Sequence, residues 1–555
     1  MSDIKKVYGI DLGTTYSCIS YMDEHNKAVV LSNSEGERIT PSVVYFEDIG
    51  EDKPNVVVGT AAKESSKLYP NDVVSFIKRQ MGTDIPFYHG DENYRPEEVS
   101  AYVLRKLVQD AAESTGEDIE DVVITVPAYF GVNEREATKR AGEIAGLNVI
   151  GLIPEPTAAA VAYGMTKEDD KKVLVYDLGG GTFDVTLIDI SQESIEVVVT
   201  GGDHNLGGKD WDDAIISYLV DQYKEQTGSD EDILEDEETA QQLQLSAESA
   251  KKTLSSRNKA PIRFNHGAES VRVELTREKF EEITEHLLQR TIELTNLMLE
   301  EAKKKGEGAD QVDEIILVGG STRMPQIEAR LTQEFNVQLT VFDPDESVAK
   351  GAALYGMQRS LQDWVKTRAQ EINESTGGGS SEDTAKAEEQ AIDELANIAP
   401  AIGPGSIESN IKRAIKNVTS KSFGIIAIVD GERKVVNLVK KNDSLPSVIT
   451  QSFGTLEADQ ETALLEVMEN ELSDENVEID NAVNIGEAVL ELPHGLPEGA
   501  PISVKFVLNE DGRLEVTGVE LTNNGQVNAT LETSSIITLE EVEEAKVRSS
   551  ALQIS

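Results

Sequence analysis

A single cysteine, Cys18, stands among 555 residues, so no intramolecular disulfide framework holds this chain together, and the thiol usage fits a reducing compartment. The 6 histidines are scattered and leave no zinc-ligand spacing, which removes a structural zinc site from consideration. Nowhere does an uncharged apolar run reach about 18 residues, and Met1-Ser2-Asp3-Ile4-Lys5-Lys6 runs into an apolar strand without a signal-peptide core; a soluble, cytoplasmic protein is expected. Positive charge is scarce: 51 Lys and Arg face 102 Asp and Glu, a net charge of -51. Neither a nucleic-acid backbone nor an anionic membrane surface is an expected partner.

What is present is length enough for two or three domains, since single cores rarely grow past about 250 to 300 residues. From the start to about Leu361, strand-like apolar runs alternate with helical patterns, an α/β signature. That region contains an internal echo. Lys6 to Ile19 reads as strand, then Asp11-Leu12-Gly13-Thr14-Thr15, then strand; Lys172 to Ile190 repeats it around Asp177-Leu178-Gly179-Gly180-Gly181-Thr182. Two copies suggest a duplicated lobe rather than a solenoid. Leu354, Met357, Leu361 and Trp364 fall at helical spacing and predict a helix closing the domain. Ser375-Thr376-Gly377-Gly378-Gly379-Ser380-Ser381 has linker chemistry; a charged helical stretch follows from Glu382 to Ile398, and Pro400, Gly403, Pro404 and Gly405 break it. Beyond about Val418 the periodicity becomes two. Ile502 to Leu508, a turn at Asp511-Gly512, and Leu514 to Val516 predict one β-hairpin, and Phe423 to Val429, Asp430-Gly431 and Val435 to Val439 a second. Thr538-Leu539-Glu540-Glu541 matches a capping box and predicts a short last helix.

In both echoed segments an aspartate ends a strand and a glycine-threonine turn follows. Glycine lets backbone amides approach a phosphate, hydroxyls add donors, and a carboxylate can hold a magnesium ion through its waters. Two such hairpins face to face would clamp one polyphosphate. The P-loop solution is excluded, because Gly208-Lys209 is followed by Asp210 and lacks the required spacing. A third strand ends in a similar turn, Val318-Gly319-Gly320-Ser321-Thr322-Arg323, and makes a further nucleotide contact plausible.

The set Ile10 to Ser17, Val126-Pro127-Ala128-Tyr129-Phe130, Glu155-Pro156-Thr157-Ala158-Ala159-Ala160, Asp177 to Asp184 and Val318 to Arg323 resembles the seventy-kilodalton heat-shock, DnaK-like chaperones in order and spacing over the first 360 residues or so. The resemblance implies an α/β two-lobed actin-like ATPase domain over 1–361, a long atypical linker over 362–417, an all-β sandwich that binds substrate over 418–535, and a short C-terminal helix over 536–555 with the family's helical lid absent. It implies ATP and ADP as ligands with Mg2+, and slow hydrolysis of ATP. Carried over by position, Gly13, Thr14, Thr15 and Tyr16 bind phosphate, as do Gly179, Gly180, Gly181 and Thr182; Asp11 and Asp177 order the magnesium ion through water. Lys78, in Phe76-Ile77-Lys78-Arg79, matches the catalytic lysine, with Glu155, Thr182 and Asp184 at the other catalytic positions. Glu248, Lys251, Lys252 and Ser255 resemble the helix that clamps adenosine, facing Gly319, Gly320, Ser321, Arg323 and Asp345. Ile425, Ile428, Leu456, Ala463 and Leu465 resemble the peptide groove, although any sandwich core needs alternating apolar residues.

Two departures stand out. The family's linker is acidic and leucine-rich, whereas Lys412-Arg413-Ala414-Ile415-Lys416-Asn417-Val418 is basic, so ordinary coupling between the domains is not expected. The family's arginine before the Glu-Pro-Thr motif is replaced by Gly151, and glycine cannot make its charge-assisted contact, so a standard J-domain partner is not expected. The partners implied are unfolded polypeptide segments and a nucleotide-exchange factor. Two functions stay open: an ATP-dependent chaperone for extended apolar segments, and an ATP-binding interaction or sensor protein with an uncoupled peptide domain. An actin-like filament protein or sugar kinase would lack the β-domain after Val418.

Overall fold

The computed structural model describes residues 4–50, 53–164, 170–306, 308, 310–377, 380–398, 411–521, 525–527 and 537–555. The internal echo is a duplicated sheet. In the first lobe Tyr8–Asp11 pairs parallel with Asp121–Val126 and antiparallel with Tyr16–Met22; in the second, Lys171–Leu178 pairs parallel with Glu314–Val318 and antiparallel with Phe183–Ile190. Register carries the duplication to single residues: Asp11 lies opposite Cys18, and Asp177 opposite Asp184. Each sheet has 6 strands.

Between the lobes pack the helix Glu155–Gly164 and the closing helix Ser347–Thr376. Both are alanine-rich because they approach closely. A Cβ on Gly351 would sit 1.7 Å from the Ala158 carbonyl oxygen, and one on Gly9 would sit 2.1 Å from the Ala353 nitrogen. Leu354, Met357, Leu361 and Trp364 fall in this closing helix as predicted. The helix extends to Thr376, and Gly377 ends it in a left-handed conformation, φ 68°. A second helix, Ser381–Ile398, folds back on it, burying Ala387, Ala391 and Leu395 against Leu361, Val365, Ala369 and Ile372. Gly378, Gly379 and the break at Pro400, Gly403, Pro404 and Gly405 lie outside the described residues.

The sandwich packs two sheets. One runs Glu432–Val439, Ser422–Val429, Thr462–Asn470, Ala482–Glu491, with Asn476–Val477 on the first edge; the other runs Ser447–Gly454, Pro501–Leu508, Leu514–Glu520, Gly525–Val527. Both predicted hairpins form. Asp430 and Gly431 take positive φ, 52° and 85°, the conformation a two-residue turn demands. Phe423, Ile425, Leu465, Val467, Val504 and Phe506 fill the interior. The last helix, Leu539–Ser550, starts on the reciprocal Thr538–Glu541 capping box. Among the described residues no helix is long and apolar enough to cross a membrane. The fold is thus a two-lobed α/β domain followed by a β-sandwich and a short C-terminal helix.

The sandwich rests on both lobes. Arg513 Nε donates to Glu136 at 2.7 Å, Ser420 donates to the Phe130 carbonyl at 3.1 Å, and Lys305 donates to the Asn442 carbonyl at 2.8 Å. The basic segment before it docks despite its composition: Ala414–Lys416 adds a parallel strand to Ser194–Glu196. Strand addition uses backbone groups, so it needs no leucines. Arg413 instead donates to the carbonyls of Gly164 and Ser191 at 3.0 and 2.6 Å, while Ile415 and Val418 join the apolar cluster between the lobes.

Candidate nucleotide site

The two glycine-threonine turns meet in the cleft between the lobes. Gly13 bends so tightly that a Cβ would lie 2.0 Å from the Tyr16 carbonyl oxygen. Across the cleft, a Cβ on Gly180 would lie 2.1 Å from Thr15 Oγ1, and one on Gly181 would lie 2.4 Å from Thr14 Cγ2. The glycines of one hairpin therefore make room for the threonines of the other. The second hairpin is held from behind: the Gly179 carbonyl accepts from Gly208 N–H at 2.9 Å and from Ser321 Oγ at 2.8 Å, and the Gly180 carbonyl accepts from Lys209 N–H at 2.8 Å. The third turn abuts this site, because a Cβ on Gly319 would stand 2.5 Å from Asp177 Oδ1.

Around these turns lies a cavity of about 870 Å³. Asp11, Gly13, Thr14, Thr15, Tyr16, Asp177, Gly179, Gly180, Thr182, Glu248, Lys251, Lys252, Ser255, Gly319, Gly320, Ser321, Arg323 and Asp345 all line it, with Lys78 and Glu155. Gly181 and Asp184 are not in the wall. Gly181 packs on Thr14, and Asp184 lies behind, 1% exposed, accepting from the Ala128 N–H at 2.9 Å with its other oxygen unpartnered.

Lys78 sits on a 3-10 turn, Ile77–Gln80, whose cap Phe76 is forced to φ 60°, a strained state for a bulky residue. Its ammonium pairs with buried Glu155. Burial and the Glu155 charge push the Asp11 carboxyl up to about 7, against the pull of Lys78 and the Thr125 hydroxyl. Burial, then Glu155, Asp184 and Asp11, drive Asp177 upward as well, and burial and Glu155 do the same to Asp184. This crowding of carboxylates asks for added positive charge. Among the described residues no three His, Cys, Asp or Glu side chains converge as a direct metal cage. Asp11 and Asp177 are chemically suited to a hydrated ion held through its waters.

At the mouth, four side chains from both lobes interlock. Tyr16 Oη accepts from Lys63 at 3.0 Å and Lys252 at 2.8 Å and donates to Glu248 at 3.1 Å; Lys63 also pairs with Glu248 at 2.5 Å. Burial raises the Glu248 carboxyl, but Lys63 and Lys252 outweigh it and hold it at about 2. Lys251 turns away to Asp212 and the Gly208 carbonyl, at 2.8 and 2.6 Å, and Arg323 pairs with Asp345.

Sequence reasoning missed Lys63 and Arg79. Arg79 crosses the cleft to the Gly181 carbonyl, at 2.9 Å from Nε and 2.7 Å from Nη2, and to Asp210 at 2.8 Å. Its place beside Lys78 was a usable signal; Lys63 offered none. The place vacated at Gly151 is also filled: a Cβ there would lie 3.0 Å from Arg359 Nη1, a guanidinium supplied by the closing helix.

The peptide residues do not gather into one pocket. Ile425, Ala463 and Leu465 are buried in the sandwich core, whereas Ile428 and Leu456 are 47% and 66% exposed.

A family model described as Hsp70 protein matches residues 7–366, more than half of the 555-residue chain, a span that takes in both glycine-threonine turns and enters the closing helix Ser347–Thr376. Members of that family are chaperone-type ATPases. With the duplicated sheets, the paired glycine-threonine turns and the Lys78–Glu155 pair in the same cleft, this chain belongs to the Hsp70 family.

Proposed function

We propose that the chain hydrolyses ATP to ADP and phosphate, slowly, and uses the cycle to control the grip of its sandwich on extended apolar segments of unfolded polypeptides. The observation that carries the reading is the buried Lys78–Glu155 pair lining the same cavity as both glycine-threonine turns. Phosphoryl transfer to water needs positioning and charge stabilisation more than covalent help. The backbone and hydroxyls of Gly13 to Thr15 and Gly179 to Thr182 hold the phosphates. Lys78 brings positive charge to the reacting phosphate and orients the attacking water, Glu155 fixes that ammonium and accepts from the water, and Thr182 aligns it. Asp184 acts from behind the wall by holding the Ala128 backbone beside the site. A magnesium ion, held through water by Asp11 and Asp177, would neutralise charge on the phosphates.

Coupling runs through the strand Ala414–Lys416, which joins the sandwich to the edge of the second-lobe sheet. That docked strand favours the chaperone over an uncoupled sensor. Fluorescence anisotropy of a labelled extended apolar peptide, with and without ATP, tests it: ATP should lower affinity and speed release. Absence of binding in either state, or affinity that ATP leaves unchanged, would remove the coupled chaperone.

A further inference from the structure

Residues 537–555 pack on the first lobe. Ile537, Val542 and Ala545 pack on Ala101 and Ile144. Arg548 pairs with buried Glu98 and lies 5.3 Å from the Tyr94 ring centre, and Arg105 donates to Ser549 Oγ at 3.0 Å. Past the helix the chain runs alongside Asn55–Val58 and forms a single parallel β-bridge, Ile554 with Val56. Val56 N–H donates to the Gln553 carbonyl at 3.1 Å, Ser555 N–H to the Val56 carbonyl at 3.0 Å, and Val58 N–H to the Ser555 carbonyl at 3.0 Å. This parallel addition closes the free edge of the small sheet formed by Asn55–Val58, Val44–Glu47 and Val73–Val74. Leu552 and Ile554, 5% and 6% exposed, enter the core of the first lobe beside Val56.

The strand so extended leads directly to the mouth of the cleft. Gly59, at φ 99° and tied by its N–H to the Val43 carbonyl at 3.1 Å, turns Asn55–Val58 into the helix Thr60–Ser65. Lys63 on that helix is the first-lobe half of the clasp to Glu248, while Ala62 is fully buried against Val43 and Tyr45. No flexible spacer separates the edge covered by Gln553–Ser555 from the ammonium that bridges the lobes. Three backbone hydrogen bonds and two buried side chains stand against the ordering of four residues, terms of similar size, so opening of the segment is reversible.

We propose that residues 552–555 are an intramolecular latch on nucleotide release. Seated, they brace Asn55–Val58 and keep Lys63 aimed at Glu248 and Tyr16; unseated, the clasp loosens and nucleotide leaves faster. The proposal rests on the ATP-binding reading above.

The test uses the full chain, with hydrogen exchange at the Val56 and Val58 amides and stopped-flow release of a fluorescent ADP analogue measured on the same samples. Ile554→Asp should expose both amides and speed release several-fold, about as much as Lys63→Ala, and the double variant should be no faster than either. Ser555→Pro deletes the backbone donor to Val56 and the hydroxyl that accepts from Asn55 at 3.4 Å while leaving Leu552 and Ile554 in place, so it serves if Ile554→Asp fails to fold, and should act in the same direction; Ile554→Val should match the parent. Exposed amides with an unchanged release rate, unprotected amides in the parent, or effects of Ile554→Asp and Lys63→Ala that multiply would each overturn the latch. A parent that binds no analogue would overturn the ATP reading and the latch with it, whereas a parent that binds it and releases it no slower than Ile554→Asp overturns the latch alone.

Discussion

Arg359, on the closing helix of the two-lobed domain, donates from Nη1 to Asp511 Oδ1 in the sandwich at 3.1 Å, through the space that any side chain at Gly151 would occupy. The same oxygen accepts from the Leu152 N–H at 3.2 Å. One carboxylate in a turn between sandwich strands thus reads two elements of the nucleotide domain. Arg359→Ala should loosen docking of the sandwich, and a double-mutant cycle with Asp511→Ala should return a coupling of ~1 to 2 kcal/mol, the range of a partly shielded charged hydrogen bond. Fluorescence energy transfer between labels on the two domains gives the docked fraction. Coupling near zero would reduce the contact to coincidence.

Docking should also depend on pH. Glu469 accepts from the Val132 N–H at 3.2 Å, at the start of the helix Val132–Ile144. Burial, then repulsion from Glu134, raises its carboxyl to about 7, with Lys421 pulling down and Glu471 adding a smaller push upward. An undocked Glu469 in water returns to the ordinary glutamate range. The docked state therefore holds more protons between the two values, so docking is strongest at the acid end of that window and weakens as pH rises towards about 7. Glu469→Gln, which cannot ionise, should flatten this slope. Sedimentation velocity across the window reads it, and an unchanged slope in the variant would assign the pH dependence to other groups.

The two classes of peptide-groove candidate should separate. Leu465 is buried in the sandwich core, so Leu465→Ala should cost about 2 to 5 kcal/mol of sandwich stability. Leu456 is exposed; Leu456→Asp should leave thermal unfolding within a degree or two of the parent and lower affinity for an apolar peptide. A Leu456→Asp variant with parental affinity would take that residue out of the groove.

These outcomes follow how much was legible beforehand. The Asp11 and Asp177 turns could be read because the same short motif occurs twice, and local hairpins keep sequence neighbours together in space. Lys63 could not: it is one lysine on a short helix, and what gives it a role is Glu248, far along the chain on the other lobe. Arg359 was hidden likewise, since a guanidinium missing at position 151 was replaced from the closing helix instead of a neighbouring residue. The basic composition of Lys412 to Val418 misled because strand addition is decided by backbone groups, which composition does not report. In the sandwich, Ile425 and Ile428 are three residues apart, and alternation along a strand places such a pair on opposite faces; one is buried and the other exposed. Leu456 lies beyond the end of Ser447–Gly454, where period-two reasoning no longer applies.

The most direct measurement is single-turnover hydrolysis of ATP with magnesium by the parent and by Lys78→Ala, with nucleotide affinity taken calorimetrically on the same samples. The ammonium of Lys78 is held by Glu155 inside the cavity, whereas the two glycine-threonine turns are built from other elements. Turnover in the variant should fall by about 100-fold or more, as for loss of one preorganised electrostatic group, while affinity changes little. Hydrolysis by Lys78→Ala at the parental rate, or none by the parent, would contradict the account.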